Sequence, residues 1–154
     1  MGRGLEIAKG FEEKHINLPV RKTKFAAGYD IEAAEDVVVP SFKKGMAPTL
    51  IPTGVKAYME DDEVLYLYNR SSNPKKKGLI LANSVGVIDK DYYGNPDNDG
   101  RIMFAFFNIK DEDITIKKGD AIGQGVFSKY LVTDDDVAVD IRTGGFGSTD
   151  KKFA

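Results

Sequence analysis

The sequence contains no cysteine and a single histidine, His15, among its 154 residues. The absence of cysteine excludes disulfide bonds, thiolate metal ligands and cysteine nucleophiles. One histidine is too few for a histidine-based zinc site, and it leaves the usual serine triads without a base unless another residue replaces it. Several common classes of catalytic and metal site are therefore excluded at the outset.

The sequence also lacks a strong charge of one sign and a long hydrophobic run. The 22 Lys and Arg residues against 24 Asp and Glu residues give a net charge of −2, so the overall field does not attract nucleic acid. No apolar run approaches the roughly 20 residues of a membrane span, and the N-terminus has no signal-peptide core. We expect one domain in the cytoplasm, with neither membrane nor nucleic acid as a partner.

Sixteen glycines and six prolines are present instead, with short β-branched or aromatic runs between them. The predicted strands cover 37–40, 50–59 with an early break, 64–68, 101–109, 122–132 and 137–141. Only residues 73–77 suggest a helical turn, which Ser72 or Asn73 would cap. No segment keeps the 3.6-residue apolar period of a core helix, and this pattern is typical of an all-β sandwich, jelly roll or barrel.

The run 101–109 is apolar at both its odd-numbered and its even-numbered positions, and therefore on both faces of a strand. Phe104 and Phe106 alternate with Met103, Ala105 and Phe107. So small a domain cannot bury both sets, and a homo-oligomer that covers the outer face is the natural solution.

Five short segments carry the polar and glycine-rich residues that an all-β core does not require. The first, 27–31, places Asp30 beside the glycine hinge Gly28. The second, 69–72, leads into the predicted turn with Arg70 and two serines. Free backbone N–H groups and a guanidinium suit a phosphate oxygen.

The third segment, 83–94, offers an amide at Asn83, an acid at Asp89 and an aromatic ring at Tyr92. The fourth is 119–124, and the fifth is 142–150. Glycines in the fifth free the backbone to wrap an anion, and Phe146 could cover a planar base. Turn chemistry, capping, surface ion pairs or a disordered terminus would explain each segment alone, but not all five in this order.

In this order the five segments resemble the five motifs of the trimeric dUTP diphosphatase (dUTPase) family, from about residue 19 to 150. The matching stretches are Ala27-Gly28-Tyr29-Asp30, Arg70-Ser71-Ser72, Gly86-Val87-Ile88-Asp89 followed by Asp91-Tyr92, and Gly145-Phe146-Gly147-Ser148-Thr149. The resemblance implies a jelly-roll β-barrel over residues 1–141, a flexible C-terminal arm over 142–154, and a homotrimer with active sites at subunit boundaries.

The same resemblance implies Mg²⁺-dependent hydrolysis of dUTP to dUMP and diphosphate, which keeps uracil out of DNA and supplies dUMP for dTMP synthesis. Asp89 would activate the water that attacks the α-phosphorus, and Asp30 would hold Mg²⁺ through water. The implied substrate-binding residues are Arg70, Ser71, Ser72 and Gln124 near the phosphates, Asn83, Gly86 and Val87 near uracil, Tyr92 against the deoxyribose, and Arg142, Phe146, Gly147, Ser148 and Thr149 in the closing arm.

Some positions depart from the family pattern. Ala121 and Gly123 stand where Arg and Ala are usual, and the fifth motif is one residue short before Phe146. Residues 95–100 resemble an expanded turn. Such variation resembles the branch found in phages and prophages of Gram-positive bacteria.

Two alternative functions remain open on the sequence. A dCTP deaminase of the same fold needs a glutamate in the strand after the third motif, and residues 102–109 contain none. A dUTP-sensing protein would use the expanded turn and the acidic residues 134–136 to bind a regulatory protein.

Overall fold

Eleven short strands carry most of the regular structure of residues 2–142, the part of the chain that the computed structural model describes. The strands are β1 Gly4–Ile7, β2 Tyr29–Glu32, β3 Val37–Val39, β4 Thr49–Pro52, β5 Val55–Tyr58, β6 Glu63–Asn69, β7 Leu79–Leu81, β8 Gly86–Asp89, β9 Met103–Asn108, β10 Ile114–Ile116 and β11 Ala121–Lys129. Single helical turns cover Phe42–Lys44, Asn73–Lys77 and Lys90–Tyr92. The all-β prediction is confirmed.

The strands pair only in antiparallel fashion and form four sheets within these residues. The largest has the order β2-β11-β6-β8, and the next has the order β4-β9-β7. Two further pairs, β1 with β5 and β3 with β10, complete the layers. The hydrogen-bonded ladders thus surround the core as separate sheets and do not close into one continuous barrel.

The core lies between the two larger sheets, and β9 shows why. Phe104 and Phe106 point inward and are fully buried, together with Ile51, Leu65 and Leu79. The intervening residues of β9 are only half-buried. Successive side chains of a strand face opposite sides, so the predicted division of this run into a buried face and a second apolar face is confirmed.

Two of the predicted strands differ in detail from the structure. The predicted break in 50–59 is Gly54, whose φ of +72° turns the chain between β4 and β5. The predicted strand 137–141 does not form. Val137, Val139 and Ile141 are almost fully exposed, because no strand of the described residues pairs with this segment.

Across residues 2–142, the helical elements are single turns, and none has the length and apolar character needed to cross a membrane.

Candidate functional site

A cavity of about 190 Å³ opens beside β8. Six residues that the sequence analysis assigned to the site line it: Asn83, Gly86, Val87, Asp89, Tyr92 and Arg142. The cavity therefore combines an amide, a carboxylate, an aromatic ring and backbone groups. Such a mixture of apolar wall and few polar groups suits a small planar ligand with polar edges.

The position of Asp89 follows from the close pairing of β8 with β6. Gly86 lies opposite Leu67, and a Cβ on Gly86 would approach the Leu67 Cβ to 2.8 Å. A residue with a side chain would push the two strands apart, so glycine is required here. Asp89 is the last residue of β8 and thus projects its carboxylate from the end of the strand.

Two carboxylates of the third motif hold Arg142. The Arg142 Nη2 donates to Asp89 Oδ2 over 2.6 Å, and its Nε donates to Asp91 Oδ1 over 2.8 Å. The hydrogen bond to Asp91 and the charges of both acids raise the pKa of the Arg142 guanidinium, although burial opposes them. Arg142 stays cationic, while the Asp89 side chain remains 49% exposed and accessible to water.

Tyr92 forms a firm wall of the cavity. The residue is only 7% exposed, and its hydroxyl accepts a hydrogen bond from Asn98 Nδ2 over 2.7 Å. The hydroxyl also donates to the carbonyl of Arg101 over 3.3 Å. Because the polar end of the side chain is satisfied behind the wall, the ring itself is left to contact a ligand.

A second group of predicted site residues lies where β2, β11 and β6 meet, and we call Asp30, Arg70, Ser71 and Gln124 the polar edge. Gln124 of β11 is paired directly with Asp30 of β2, so their side chains share one face of the sheet. A Cβ on Gly28 would overlap the Gln124 side-chain amide. The glycine of the first motif therefore makes the space in which Gln124 lies.

Arg70 and the turn that follows it are held by a chain of amides. The Arg70 Nη1 donates to the Ala121 carbonyl over 3.2 Å, and its backbone N–H donates to Asn69 Oδ1 over 2.9 Å. The buried Asn73 donates through Nδ2 to the same Asn69 oxygen and to the Ile122 carbonyl. The exposed Ser71 therefore sits on a fixed backbone.

The predicted cap of this turn is wrong. Ser72 occupies the N-cap position of Asn73–Lys77 but makes no side-chain cap hydrogen bond. Asn73 is inside the turn, and its buried side chain bonds to neighbouring strands. The turn is thus held by tertiary hydrogen bonds, and Gly78 ends it with a left-handed φ of +66°.

The polar edge fits a metal ion only in combination with a ligand. Within residues 2–142, no three His, Cys, Asp or Glu side chains are grouped so that they could hold a metal. Asp30 supplies one partly exposed carboxylate. Mg²⁺ keeps several waters and commonly binds one or two carboxylates together with substrate phosphates. The residues present therefore suit a hydrated Mg²⁺ that a phosphate ligand helps to hold, rather than a site made by protein alone.

Asp89 and the polar edge lie towards opposite ends of β6, although the cavity itself extends along the strand as far as Leu67. Asp89 is paired with Val64 near the start of the strand, whereas Arg70 directly follows its last residue. A strand of seven residues is roughly 20 Å long. One chain therefore does not bring together all the predicted site residues that the structure describes. Phe146, Gly147, Ser148 and Thr149 lie outside the described residues.

Four lining residues were not predicted as part of the site: Leu67, Ile88, Arg101 and Met103. Arg101 lies just before β9, and Met103 is its first residue. Neither of these two belongs to a recognisable motif, and their position depends on how β9 packs beside β8. The only signal in the sequence was that Met103 alternates with Phe104, which placed its side chain on the opposite face of the strand.

Comparison with known proteins gives a consistent result. A family model described as dUTPase matches residues 14–150. The deoxyuridine 5'-triphosphate nucleotidohydrolase of Lactococcus lactis is 56% identical over 149 residues, which cover 96% of this chain and 97% of that protein. A crystal structure of dUTPase from Streptococcus mutans is 47% identical with a TM-score of 0.79, covering 85% of this chain and 98% of that one.

A structural likeness extends to phage enzymes. The dUTPase from phage phi11 of Staphylococcus aureus has a TM-score of 0.70 and covers 93% of this chain and 99% of its own. At 20% identity this likeness shows the fold alone. The prediction of a phage or prophage branch stays a prediction.

Proposed function

This chain belongs to the dUTPase family, and we therefore propose that it hydrolyses dUTP to dUMP and diphosphate at the cavity beside β8. The observation that carries the proposal is the placement of Asn83, Gly86, Asp89 and Tyr92 around one cavity. These are the residues that the third motif assigns to the base, the sugar and the attacking water.

We assign the chemical step to Asp89. Its carboxylate accepts a proton from a water molecule as the water oxygen bonds to the α-phosphorus, and the bond from that phosphorus to the bridging oxygen breaks to release diphosphate. The half-exposed side chain can reach water, and the hydrogen bond from Arg142 orients the carboxylate. Placement of the nucleophile is most of what such a displacement needs from a protein.

The cavity also explains the choice of nucleoside. The amide of Asn83 and the backbone at Gly86 and Val87 offer donors and acceptors for the edge of uracil. The buried ring of Tyr92 packs against the deoxyribose and leaves no room for a 2′-hydroxyl. Discrimination against UTP is therefore a matter of shape.

The polar edge binds the triphosphate in this proposal. Arg70, Ser71 and Gln124 contact phosphate oxygens, with Ser72 beside them, and Asp30 holds the water shell of Mg²⁺. The ion supplies charge neutralisation for the phosphates when it is bound. Arg70 is supported by the carbonyl of Ala121, which fixes the direction of its guanidinium.

We propose that cavity and polar edge meet across the contacts of a homotrimer. The separation of Asp89 from Arg70 along β6 supports this, because a neighbouring copy can supply the group that one chain lacks nearby. The outer face of the β4-β9-β7 sheet supports it further. Leu50 is 46% exposed there, opposite the half-buried Ala105. Met103 belongs to this face and also lines the cavity, so a copy that covers the face lies beside the site.

Two further parts of the proposal concern the arm and the location. Residues 142–154 act as an arm that closes over the bound nucleotide, and the contact of Arg142 with Asp89 and Asp91 supports its start at the cavity. A cytoplasmic location fits an enzyme that acts on free deoxynucleotides.

The decisive experiment measures diphosphate release from dUTP, dCTP, dTTP and UTP, each with and without Mg²⁺. We expect turnover of dUTP alone, and only with the metal. Ammonia released from dCTP would favour the deaminase alternative, for which β9 lacks the required carboxylate. Tight binding of dUTP without turnover would favour the sensing alternative, in which a regulatory protein is the partner.

A further inference from the structure

The turn formed by residues 95–100 packs directly behind Tyr92. Asn98 Nδ2 donates to the hydroxyl of the buried Tyr92 over 2.7 Å. A Cβ on Gly100 would overlap the carbonyl oxygen of Tyr92, and Gly100 has a left-handed φ of +77°. Only glycine allows the turn to approach the Tyr92 backbone this closely.

The amide of Asn98 has a fixed orientation. Its Oδ1 accepts a hydrogen bond from the backbone N–H of Gly100 over 3.0 Å. Its carbonyl accepts from the backbone N–H of Arg101 over 3.1 Å. Because Oδ1 faces a backbone donor, Nδ2 is the end that faces Tyr92.

The turn itself is anchored to two other parts of the chain. Asp99 Oδ2 accepts hydrogen bonds from Lys56 Nζ and from the backbone N–H of Lys9, each over 2.8 Å. The Asp99 N–H donates to the Asn95 carbonyl over 2.7 Å. These contacts make the turn a rigid support and not a loose surface loop.

We propose that Asn98 is a positioning residue that sets the discrimination between deoxyribonucleotide and ribonucleotide. The hydrogen bond from Asn98 prevents the Tyr92 ring from pivoting away from the sugar. A ring that can pivot leaves room for one additional oxygen atom at the 2′ position. This inference rests on the proposed function, in which Tyr92 packs against the deoxyribose.

The test compares the ratio of kcat/KM for UTP to that for dUTP in the full-length protein. We expect Asn98→Ala to raise this ratio about fivefold, the value of a hydrogen bond worth about 1 kcal/mol, with the change mainly in the KM for UTP. Asp97→Ala is the matched control, since Asp97 lies in the same turn with an exposed side chain. It should leave the ratio at the wild-type value.

Tyr92→Phe separates positioning from a general loss of structure. Tyr92→Phe keeps the ring and the turn but removes the hydroxyl, and with it both the bond from Asn98 and the longer bond to the Arg101 carbonyl, so it should raise the ratio by at least as much. Adding Asn98→Ala to Tyr92→Phe should then change nothing further, because the bond that Asn98→Ala removes is already absent. If Asn98→Ala fails to fold, a wild-type ratio in Tyr92→Phe overturns the inference and a raised ratio supports it.

A wild-type ratio in folded Asn98→Ala or in Tyr92→Phe, or fully additive effects of the two substitutions, would overturn the inference. These outcomes differ from failure of the proposed function. A wild-type protein that does not hydrolyse dUTP contradicts the proposed function, whereas a selective wild-type enzyme with an unchanged ratio in Asn98→Ala contradicts only the role of Asn98.

Discussion

Asp89 is the residue on which the proposed chemistry depends most directly. We expect Asp89→Asn to lower kcat by about 10²- to 10⁴-fold, the usual contribution of a general base. The amide has nearly the same shape, so the Kd for dUTP should stay within a few-fold of the wild-type value. Diphosphate release and calorimetric titration measure the two quantities.

The matched control for this prediction is Asp91→Asn. Asp91 also accepts a hydrogen bond from Arg142 and is similarly exposed. Asp91→Asn should cause a much smaller loss of kcat, because Asp91 is not the residue proposed to activate the water. Near-normal rates in Asp89→Asn would remove Asp89 from the mechanism.

At the scale of single residues, the motifs predicted the contents of the cavity well. Asn83, Gly86, Asp89 and Tyr92 all line it, because a short contiguous segment fixes their relative positions. The role of Asn98 could not be predicted, since its bond to Tyr92 depends on how the following turn folds back. The cap assigned to Ser72 failed because tertiary contacts of Asn73 replace local capping.

At the scale of secondary structure, β11 shows how one departure from the family pattern is accommodated. A Cβ on Gly123 would overlap the ring of Phe104, at the point where the pairing of β11 with β2 shifts register. We expect Gly123→Ala to lower the free energy of unfolding by about 1–3 kcal/mol, as overpacking commonly does. Urea denaturation measures this change in the free energy of unfolding.

Gly125→Ala serves as the comparison within the same strand. Its Cβ would approach Leu65 Cδ1 to 3.0 Å, a milder contact. The loss of stability should therefore be smaller than at Gly123, and replacing Phe104 by leucine should recover part of the Gly123→Ala defect. Equal losses at the two glycines would contradict this account of the strand.

The turn 95–100 should have a pH-dependent stability through Asp99. The hydrogen bond from Lys56, together with the N–H of Lys9, holds the pKa of Asp99 below its usual range. A carboxyl whose pKa is lower in the folded than in the unfolded protein stabilises the fold at pH values above its unfolded pKa, which is about 4. This stabilisation is lost as the pH falls through the folded pKa. The side chain is 22% exposed, so the pair is partly shielded from solvent.

We therefore expect Asp99→Asn to cost about 1.5–3 kcal/mol at pH 7, the range for hydrogen bonds to charged groups. The difference from wild type should shrink below pH 4, where the wild-type carboxyl is itself becoming neutral. Unfolding in urea at pH 7 and pH 3 makes the comparison. A difference that is the same at both pH values would show that Asp99 acts through shape alone.

The strand predictions succeeded where a run was long enough to show its pattern. The runs at 64–68, 101–109 and 122–132 became β6, β9 and β11. Of the eight strands of three or four residues, β3, β4 and β5 lie within predicted runs, and the other five were missed because so few residues show little of a period. The strand register could not be predicted from the sequence either, because a pairing such as that of Gly86 with Leu67 joins separate parts of the chain.

At the scale of the whole molecule, the proposed homotrimer leads to a prediction about mixed subunits. We expect Asp89→Asn to inactivate the cavity and Arg70→Ala to inactivate the polar edge. When the two inactive variants are refolded together in equal amounts, about one-quarter of the sites in a random symmetric assembly should be intact. The rate per subunit should recover to about that fraction of the wild-type value.

The control mixes Asp89→Asn with Asp89→Ala, which should recover nothing. A failure of Asp89→Asn and Arg70→Ala to recover activity, in mixtures shown by light scattering to contain trimers, would mean that each chain builds its own site. A fully active protein that is a monomer by light scattering would also mean that each chain builds its own site.

The length of β6 has a consequence for the timing of activity in the cell. Because Asp89 lies near the start of β6 and Arg70 directly follows its end, a newly synthesised single chain would lack a complete site if the site is joined across the proposed homotrimer. Activity would then begin with association and not with folding, so a molecule that captures single chains would abolish hydrolysis without touching the nucleotide pocket.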